Sequence, residues 1–199
     1  MCDKNITITE NSNFSCWENK KTTSDEREII DYFKNNLHII KNKKILHMGI
    51  GNSEFGLTFC KEATYIDGVT ISVPEKNKVS NCYRNIHICN KYNLNDMKQL
   101  LKDDYDLIID QGIKQFTCCQ SHFEELFKFY IEKLNKKGIF VTSKLGMNWS
   151  GYPLHLRFKH NDDTNKDKSN ILGINELNTL VKKYKLNIIK VQKNIIILS

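Results

Sequence analysis

The feature that most constrains the fold of this chain is a strand, a glycine turn, a helix and a second strand that follow one another within residues 43–72. The letters KKILHMGI indicate a short buried strand, GNSEFG a turn, LTFCKEA a helix and TYIDGVTIS the second strand. Two strands joined by a helix within about 30 residues need a crossover connection, which makes the strands parallel. The pattern therefore predicts an α/β fold built on a parallel sheet.

The same alternation continues to the end of the chain. Ser24, followed by Asp25 and Glu26, is a typical helix start, and apolar residues at helical spacing come after it. The last apolar runs, LNIIKV and NIIILS, are separated only by Gln192 and Lys193, so they must form an antiparallel hairpin. We predict a mostly parallel seven-stranded sheet closed by this hairpin. The other predicted elements are helices near 24–38, 75–83, 94–102, 120–135 and 171–184, and strands at 85–90, 105–110 and 138–143.

The length of 199 residues suits one globular domain with a buried core. Residues 1–23 are polar and lack a clear period, so we expect a partly ordered N-terminal arm, followed by a single domain over residues 24–199. Residues 144–170 show no convincing period, and we expect a long loop or lid there. No apolar run reaches the roughly 20 residues that span a bilayer, and no secretory signal is evident. We therefore expect a soluble, cytoplasmic protein with no membrane partner.

The chain carries 30 Lys and Arg against 23 Asp and Glu, a formal charge of +7. Only three of these cations are Arg, and the lysines are scattered among acids, whereas sequence-specific readers of nucleic acids rely on Arg forks. A nucleic-acid partner is therefore not expected. The seven Cys residues are odd in number and form no CxxC motif, which favours free thiols and predicts no metal site.

The segment ILHMGIGNSEFG carries the strongest functional signal. Gly49 and Gly51 follow a buried strand and precede a helix, where a backbone must turn tightly and approach a ligand. No Gly-Lys-Ser/Thr follows, and Glu54 stands where a dinucleotide motif has its third Gly, so neither a P-loop nor a full GxGxxG is present. The segment favours a ligand site at the first strand-to-helix turn. The alternative is a turn that needs its glycines for geometry alone.

These motifs, in this order, resemble those of the class I S-adenosylmethionine (SAM) dependent methyltransferases over residues 24–199. The matching pieces are GIGNS, YIDGVTIS, YDLIIDQG, LNKKGIFVTS and the terminal helix with its hairpin. The resemblance implies a three-layer α/β/α sandwich, SAM as cofactor and a site at the carboxyl edge of the sheet. GVTIS is similar to cyclopropane-synthase-like members, whereas GNS and IIDQG are similar to some protein-lysine methyltransferases. A small-molecule or sugar acceptor is expected, and a protein lysine stays open.

The resemblance also implies roles at the first strand and its turn. Gly49 and Gly51 would let the turn pass beneath the methionine part of SAM. Asn52 and Ser53 would supply hydrogen bonds near its carboxylate. His47 stands where the family often has an acid that orients the turn and the methionine amino group. The alternative for His47 is a buried strand histidine that the protein itself satisfies.

At the later strands, the resemblance implies contacts with the nucleoside and the reacting atoms. Thr70 occupies the position of the usual ribose-binding acid, because Asp67 lies three residues earlier and faces differently. Ile71 and Ser72 would flank the adenosine, and Asn90, in preference to Asn93, would hold the adenine amino group. Asp110 and Gln111 would border the sulfonium and the acceptor. The residues assigned to these strands are therefore Thr70, Ile71, Ser72, Asn90, Asp110 and Gln111.

Methyl transfer from a sulfonium is an in-line displacement in which positioning does most of the work. A base is needed only if the acceptor arrives protonated, and Asp110 and His122 are the candidates near the mouth of the site. The resemblance thus implies a SAM-dependent methyltransferase. The alternative is a catalytically degenerate SAM-binding or partner-binding module of the same fold, and an oligomer is compatible with either.

Overall fold

The alternating pattern forms one seven-stranded sheet flanked by helices in the computed structural model, which describes residues 20–101, 104–113, 120–143, 174–192 and 195–199. The strands are β1 Lys44–Met48, β2 Tyr65–Thr70, β3 Asn85–Ile88, β4 Tyr105–Asp110, β5 Leu134–Ser143, β6 Ile188–Gln192 and β7 Ile195–Leu198. The helices are α1 Ser24–Lys34, α2 Glu54–Phe59, α3 Val73–Lys78, α4 Leu94–Leu100, α5 Gln120–Lys133 and α6 Ile174–Tyr184.

The sheet has the strand order β3-β2-β1-β4-β5-β7-β6. Strands β1 to β5 pair in parallel, whereas β7 runs antiparallel to both β5 and β6. The predicted closing hairpin and the mostly parallel seven-stranded sheet are therefore confirmed.

Helices cover both faces of the sheet, which completes the predicted three-layer sandwich. One face packs against α1 and α2 through Ile29, Phe33, Phe55 and Phe59, among others. The other face packs against α4, α5 and α6, whose buried side chains include Met97, Phe123, Phe127, Leu177 and Leu180. Strands covered on both faces need apolar side chains in both directions, which explains the near-continuous apolar runs in the sequence.

Several helix boundaries differ from the predicted ones. The first helix ends at Lys34, and residues Leu37–Ile39 form a separate 3-10 turn, because Asn36 leaves the helical conformation with φ −136°. The second helix begins at Glu54, three residues earlier than predicted, after Ser53 turns the chain with φ +67°. The third helix covers Val73–Lys78 in place of 75–83.

The start of α1 uses a cap one residue earlier than the sequence suggests. Thr23 is the N-cap, and its hydroxyl accepts a hydrogen bond from the Glu26 N–H. The Glu26 carboxylate accepts hydrogen bonds from the backbone of Thr23 and of Phe55 in α2. This reciprocal arrangement is a capping box. It joins the first turns of α1 and α2.

The junction between α5 and β5 also differs from the prediction. The helix ends at Lys133 and the strand begins directly at Leu134, with an irregular register between Tyr105 and Leu107. A Cβ on Gly138 would lie 2.9 Å from the Tyr105 carbonyl oxygen, so this close approach requires glycine. Among the helices that the structure describes, none is long and apolar enough to cross a membrane.

Candidate functional site

The strand order reverses beside β1, which pairs with β2 on one side and β4 on the other. Open α/β sheets bind ligands in the crevice outside the carboxyl ends of the strands at such a reversal. The predicted site residues that follow β1, β2, β3 and β4 all lie at this carboxyl edge.

The glycine turn after β1 leaves open space at its first residue. Gly49 has φ +68° and donates its N–H to the Val69 carbonyl at 2.8 Å, and Gly51 has φ +53°. Both values lie in the left-handed region that favours glycine. A Cβ on Gly49 would meet no atom within 4 Å. Gly49 is therefore needed for its backbone conformation, and the space beside it is available to a ligand.

Asn52 and Ser53 form hydrogen bonds inside the protein. The Asn52 amide donates to the Lys20 carbonyl at 3.1 Å and to the Thr22 hydroxyl at 3.0 Å, and its oxygen accepts from the Glu54 N–H. Ser53 is fully buried, and its N–H donates to the Ile50 carbonyl at 2.7 Å. The Asn52 side chain and the Ser53 N–H are thus engaged within the protein, and the supply of hydrogen bonds to a cofactor carboxylate by these two residues stays a prediction.

His47 lies beneath the glycine turn. It is 2% exposed, its Nδ1 lies 2.8 Å from the Tyr83 hydroxyl, and its ring contacts Phe55 edge-on. Burial lowers the pKa of His47 to about 3, so the ring is neutral at ordinary pH. These contacts match the alternative, a buried strand histidine whose hydrogen-bond partner lies within the protein. A part for His47 in cofactor binding stays a prediction.

A buried carboxylate lies at the end of β2, although the sequence places no acid at that strand position. The Thr70 hydroxyl donates to the Glu75 carboxylate at 2.5 Å and accepts from the Ser72 N–H at 3.0 Å. Ser72 caps α3 by accepting from the Glu75 N–H, and Thr70, Ser72 and Glu75 are all buried. Sequence reasoning missed Glu75. The Ser72-x-x-Glu75 spacing of a capping box is the signal that would have found it.

Ile71 is exposed to solvent, whereas Asp67 is buried, although they lie in or directly after the same strand. Ile71 follows β2 and is 40% exposed, so it offers an apolar surface beside Thr70. Asp67 is 1% exposed, and its carboxylate accepts from the side chains of Arg84, Asn85 and Tyr105. Asp67 is therefore part of the sheet interior, as the alternation along the strand predicts.

Asp110 ends β4 in a buried network. It is 2% exposed and accepts from both the Lys91 ammonium, at 3.0 and 3.1 Å, and the Tyr130 hydroxyl, at 2.8 Å. The Gly112 N–H adds another hydrogen bond at 3.1 Å. Burial lowers the pKa of Lys91, although the Asp110 charge opposes the shift. These donors occupy both oxygens of the Asp110 carboxylate, and its role as a base stays a prediction. Sequence reasoning missed Lys91 and Tyr130.

Of the other predicted site residues, Asn90 and Gln111 accept hydrogen bonds within the protein. The Asn90 side-chain oxygen accepts from the Tyr92 N–H at 3.0 Å, and the Gln111 carbonyl accepts from the Ser143 N–H at 3.3 Å. His122 lies half-buried in the first turn of α5. Residues 114–119 before it, and the predicted lid over 144–170, lie outside the described residues.

A cavity of about 440 Å³ lies beside this edge. It is lined by residues 20–22 and by side chains of α1, α2 and α3. Of the predicted site residues, Asn52 alone contributes to its lining among those that the structure describes. The cavity is therefore distinct from the crevice between β1 and β4.

Comparison with known proteins identifies the fold of this chain. No family model matches the sequence, and no curated protein matches it. Among solved structures, the methyltransferase CcbJ from Streptomyces caelestis aligns with 92% of this chain and 93% of its own, with a TM-score of 0.63 at 12% identity. The chain has the class I methyltransferase fold.

Two further solved structures have the same fold. A ribosomal protein L11 methylase from Lactobacillus delbrueckii subsp. bulgaricus covers 89% of this chain and 80% of its own, with a TM-score of 0.55 at 11% identity. The methyltransferase MycE, solved with Mg, S-adenosylhomocysteine (SAH) and mycinamycin VI, covers 87% of this chain and 48% of its own, with a TM-score of 0.59 at 13% identity. These neighbours share the class I methyltransferase fold with this chain.

Proposed function

We propose that this protein is a SAM-dependent methyltransferase that acts on a small-molecule or sugar acceptor. The observation that carries the proposal is the open glycine turn at the strand reversal, in a sheet of the methyltransferase order, with the Thr70 and Glu75 pair at the end of the next strand. Neighbours that carry SAH support the choice of cofactor.

The groups at this edge fit the parts of SAM. Gly49 leaves room for the methionine part, and exposed Ile71 offers an apolar surface for the adenine. An ionised carboxylate has about four lone-pair sites, so Glu75 can accept from ribose hydroxyls while it accepts from Thr70. Thr70 and Glu75 together would therefore replace the single acid that the family usually has at this strand.

When bound, SAM supplies a methyl group on a sulfonium, and its transfer leaves SAH. The chain's own residues position the reactants, which is the main requirement of an in-line displacement. Asp110, held by Lys91 and Tyr130, fixes the end of β4. For an acceptor that arrives protonated, we assign the base to His122, because Asp110 is saturated with donors.

A small-molecule or sugar acceptor is supported by MycE, which was solved with mycinamycin VI. The L11 methylase has the same fold, so a protein acceptor is the competing possibility. A second candidate function is a SAM-binding module without turnover. The saturation of Asp110 by Lys91 and Tyr130 favours this second candidate.

Calorimetric titration with SAM and with SAH, followed by incubation with methyl-labelled SAM, separates these functions. The enzyme should bind both compounds at micromolar concentration and transfer label to some member of a panel of small amines, alcohols and sugars. Transfer of the label only to a protein would favour a protein acceptor over a small molecule. Binding without any transfer would favour the module, and no binding at millimolar concentration would overturn both functions.

A further inference from the structure

The cavity of about 440 Å³ beside the glycine turn has a lining that the proposed function does not use. Its volume lies within the range of small-molecule sites, which is roughly 300 to 1,000 Å³. Its lining is mostly charged, so an apolar occupant is excluded. The lining residues are Lys20, Lys21, Thr22, Arg27, Ile30, Asp31, Lys34, Asn52, Glu54, Leu57 and Lys78.

Positive charge is concentrated at this cavity. Five of its 11 lining residues are Lys or Arg, whereas the whole chain has 30 in 199. Two lining residues, Asp31 and Glu54, are acidic, so the lining carries a net charge of 5 − 2 = +3. Basic residues that are scattered in the sequence therefore converge here when the chain folds, because they come from the segment before α1 and from two helices, α1 and α3.

The geometry of α1 explains part of this convergence. Arg27 and Lys34 are seven residues apart, which places them on the same face of the helix two turns from each other. Asp31 lies between them on that face. Within the part of the chain that the structure describes, no carboxylate lies within ion-pair distance of Arg27 or Lys34.

The guanidinium of Arg27 is held in place by the protein. One of its terminal nitrogens donates to the Thr22 carbonyl at 2.9 Å, and the Thr22 hydroxyl in turn accepts from Asn52. A guanidinium has five N–H donors, so the anchored group keeps donors for a ligand. An anchored guanidinium also loses less conformational entropy on binding than a mobile one.

We propose that this cavity, the α1–α2 basic cavity, binds a phosphate ester of a small hydroxylated molecule. The guanidinium fork and the ammonium groups match the oxygens of a phosphate. Asp31 and Glu54 accept hydrogen bonds, which suits the hydroxyl groups of a sugar and opposes a second anionic group near them. The site is separate from the proposed SAM site, and it adjoins the glycine turn through Asn52.

Calorimetric titration with glucose 1-phosphate, in a phosphate-free buffer of low ionic strength and without SAM, tests the proposal. Three forms of the chain are compared: the wild type, the double variant Arg27→Gln/Lys34→Gln, and the control Lys136→Gln/Lys137→Gln. All four substituted side chains are exposed, so the fold should be kept. Lys136 and Lys137 lie in β5 and do not line the cavity, so the control removes the same charge elsewhere.

The wild type and the control should bind one glucose 1-phosphate per chain with equal Kd, and the cavity variant should bind at least tenfold more weakly. Inorganic phosphate should bind more weakly than the ester, and glucose should not bind. No saturable binding by the wild type, or equal weakening in the two double variants, would overturn the proposal. Equal affinity for phosphate and for the ester would overturn the assignment of hydroxyl groups to Asp31 and Glu54. Because SAM is left out, the result does not depend on the proposed function.

Discussion

At the end of β2, a threonine lies against a buried glutamate from α3. The Thr70 hydroxyl donates to the Glu75 carboxylate at 2.5 Å, and both side chains are buried. The carboxylate at this edge therefore comes from α3 and not from the strand.

Replacing this carboxylate should weaken SAM binding with little effect on the fold. Glu75→Gln keeps the shape of the side chain but loses the charge-assisted hydrogen bonds to ribose hydroxyls, so we expect the Kd for SAM to rise at least tenfold. The control Glu62→Gln, in the turn before β2, should leave the Kd unchanged. Unchanged affinity in Glu75→Gln would remove Glu75 from the site.

The second buried charge at the edge is the Asp110 carboxylate, whose counter-ion Lys91 has a side chain only 16% exposed. Lys91→Met leaves this carboxylate buried without a counter-ion, which should lower the free energy of unfolding by about 3 to 5 kcal/mol. Adding Asp110→Asn should restore much of the loss, because it removes the uncompensated charge. Urea denaturation measures both effects. A loss below about 1 kcal/mol in Lys91→Met would contradict the structural role that we give to this pair.

At the scale of elements, the first turn of α1 tests which residue caps the helix. Thr23 accepts from the Glu26 N–H, whereas Ser24 is exposed and is the first helical residue. Thr23→Ala should therefore lower the free energy of unfolding by about 1 kcal/mol, and Ser24→Ala should leave it nearly unchanged. Thermal denaturation of the two variants compares them directly. Equal losses would contradict the assigned cap.

Glu26 connects α1 to α2 and should make stability depend on pH. Burial, followed by the nearby carboxylates of Asp25 and Glu54, raises the pKa of Glu26 from 4.5 to about 7. Its contribution to stability is therefore fully present below about pH 4.5 and is lost as the pH rises through about 7.

Glu26→Gln keeps a capping side chain and removes this titration. The free energy of unfolding of the variant minus that of the wild type should increase from about pH 5 to about pH 8, by at most about 3 kcal/mol. Urea denaturation at the two pH values measures the gain. The buried His47 titrates in both forms, so its effect cancels in the difference. A difference that stays constant with pH would contradict the raised pKa.

At the scale of the whole molecule, periodicity was enough to predict the sheet. The apolar runs gave the strands, and the short connection between the last two gave the hairpin. The exact ends of helices were harder to predict, because single residues such as Ser53 and Asn36 decide them through their backbone conformation.

The site was only partly predictable, for a physical reason. The glycine turn is a local feature, so the sequence indicates it directly. Lys91 and Tyr130 reach Asp110 across 19 and 20 residues, and only the packed sheet brings them together. Glu75 and Glu26 are nearer to local signals, because each completes a Ser/Thr-x-x-Glu spacing, but their burial at the carboxyl edge follows from the fold.

The central claim is that SAM binds over the glycine turn, and it is tested most directly by two alanine substitutions. Gly49→Ala adds a Cβ at a φ of +68°, which should cost about 1 to 2 kcal/mol of stability. Asn42→Ala is the control: it also places an alanine at a positive φ, of +60°, but it should cost less, because Asn42 already carries a Cβ there. Only the Cβ at position 49 enters the open space proposed for the cofactor.

The measurement is the calorimetric Kd for SAM in the wild type and in both variants. The account predicts that Asn42→Ala binds SAM as the wild type does, and that Gly49→Ala binds at least tenfold more weakly. Wild-type affinity in Gly49→Ala, or an equal loss in both variants, would contradict it.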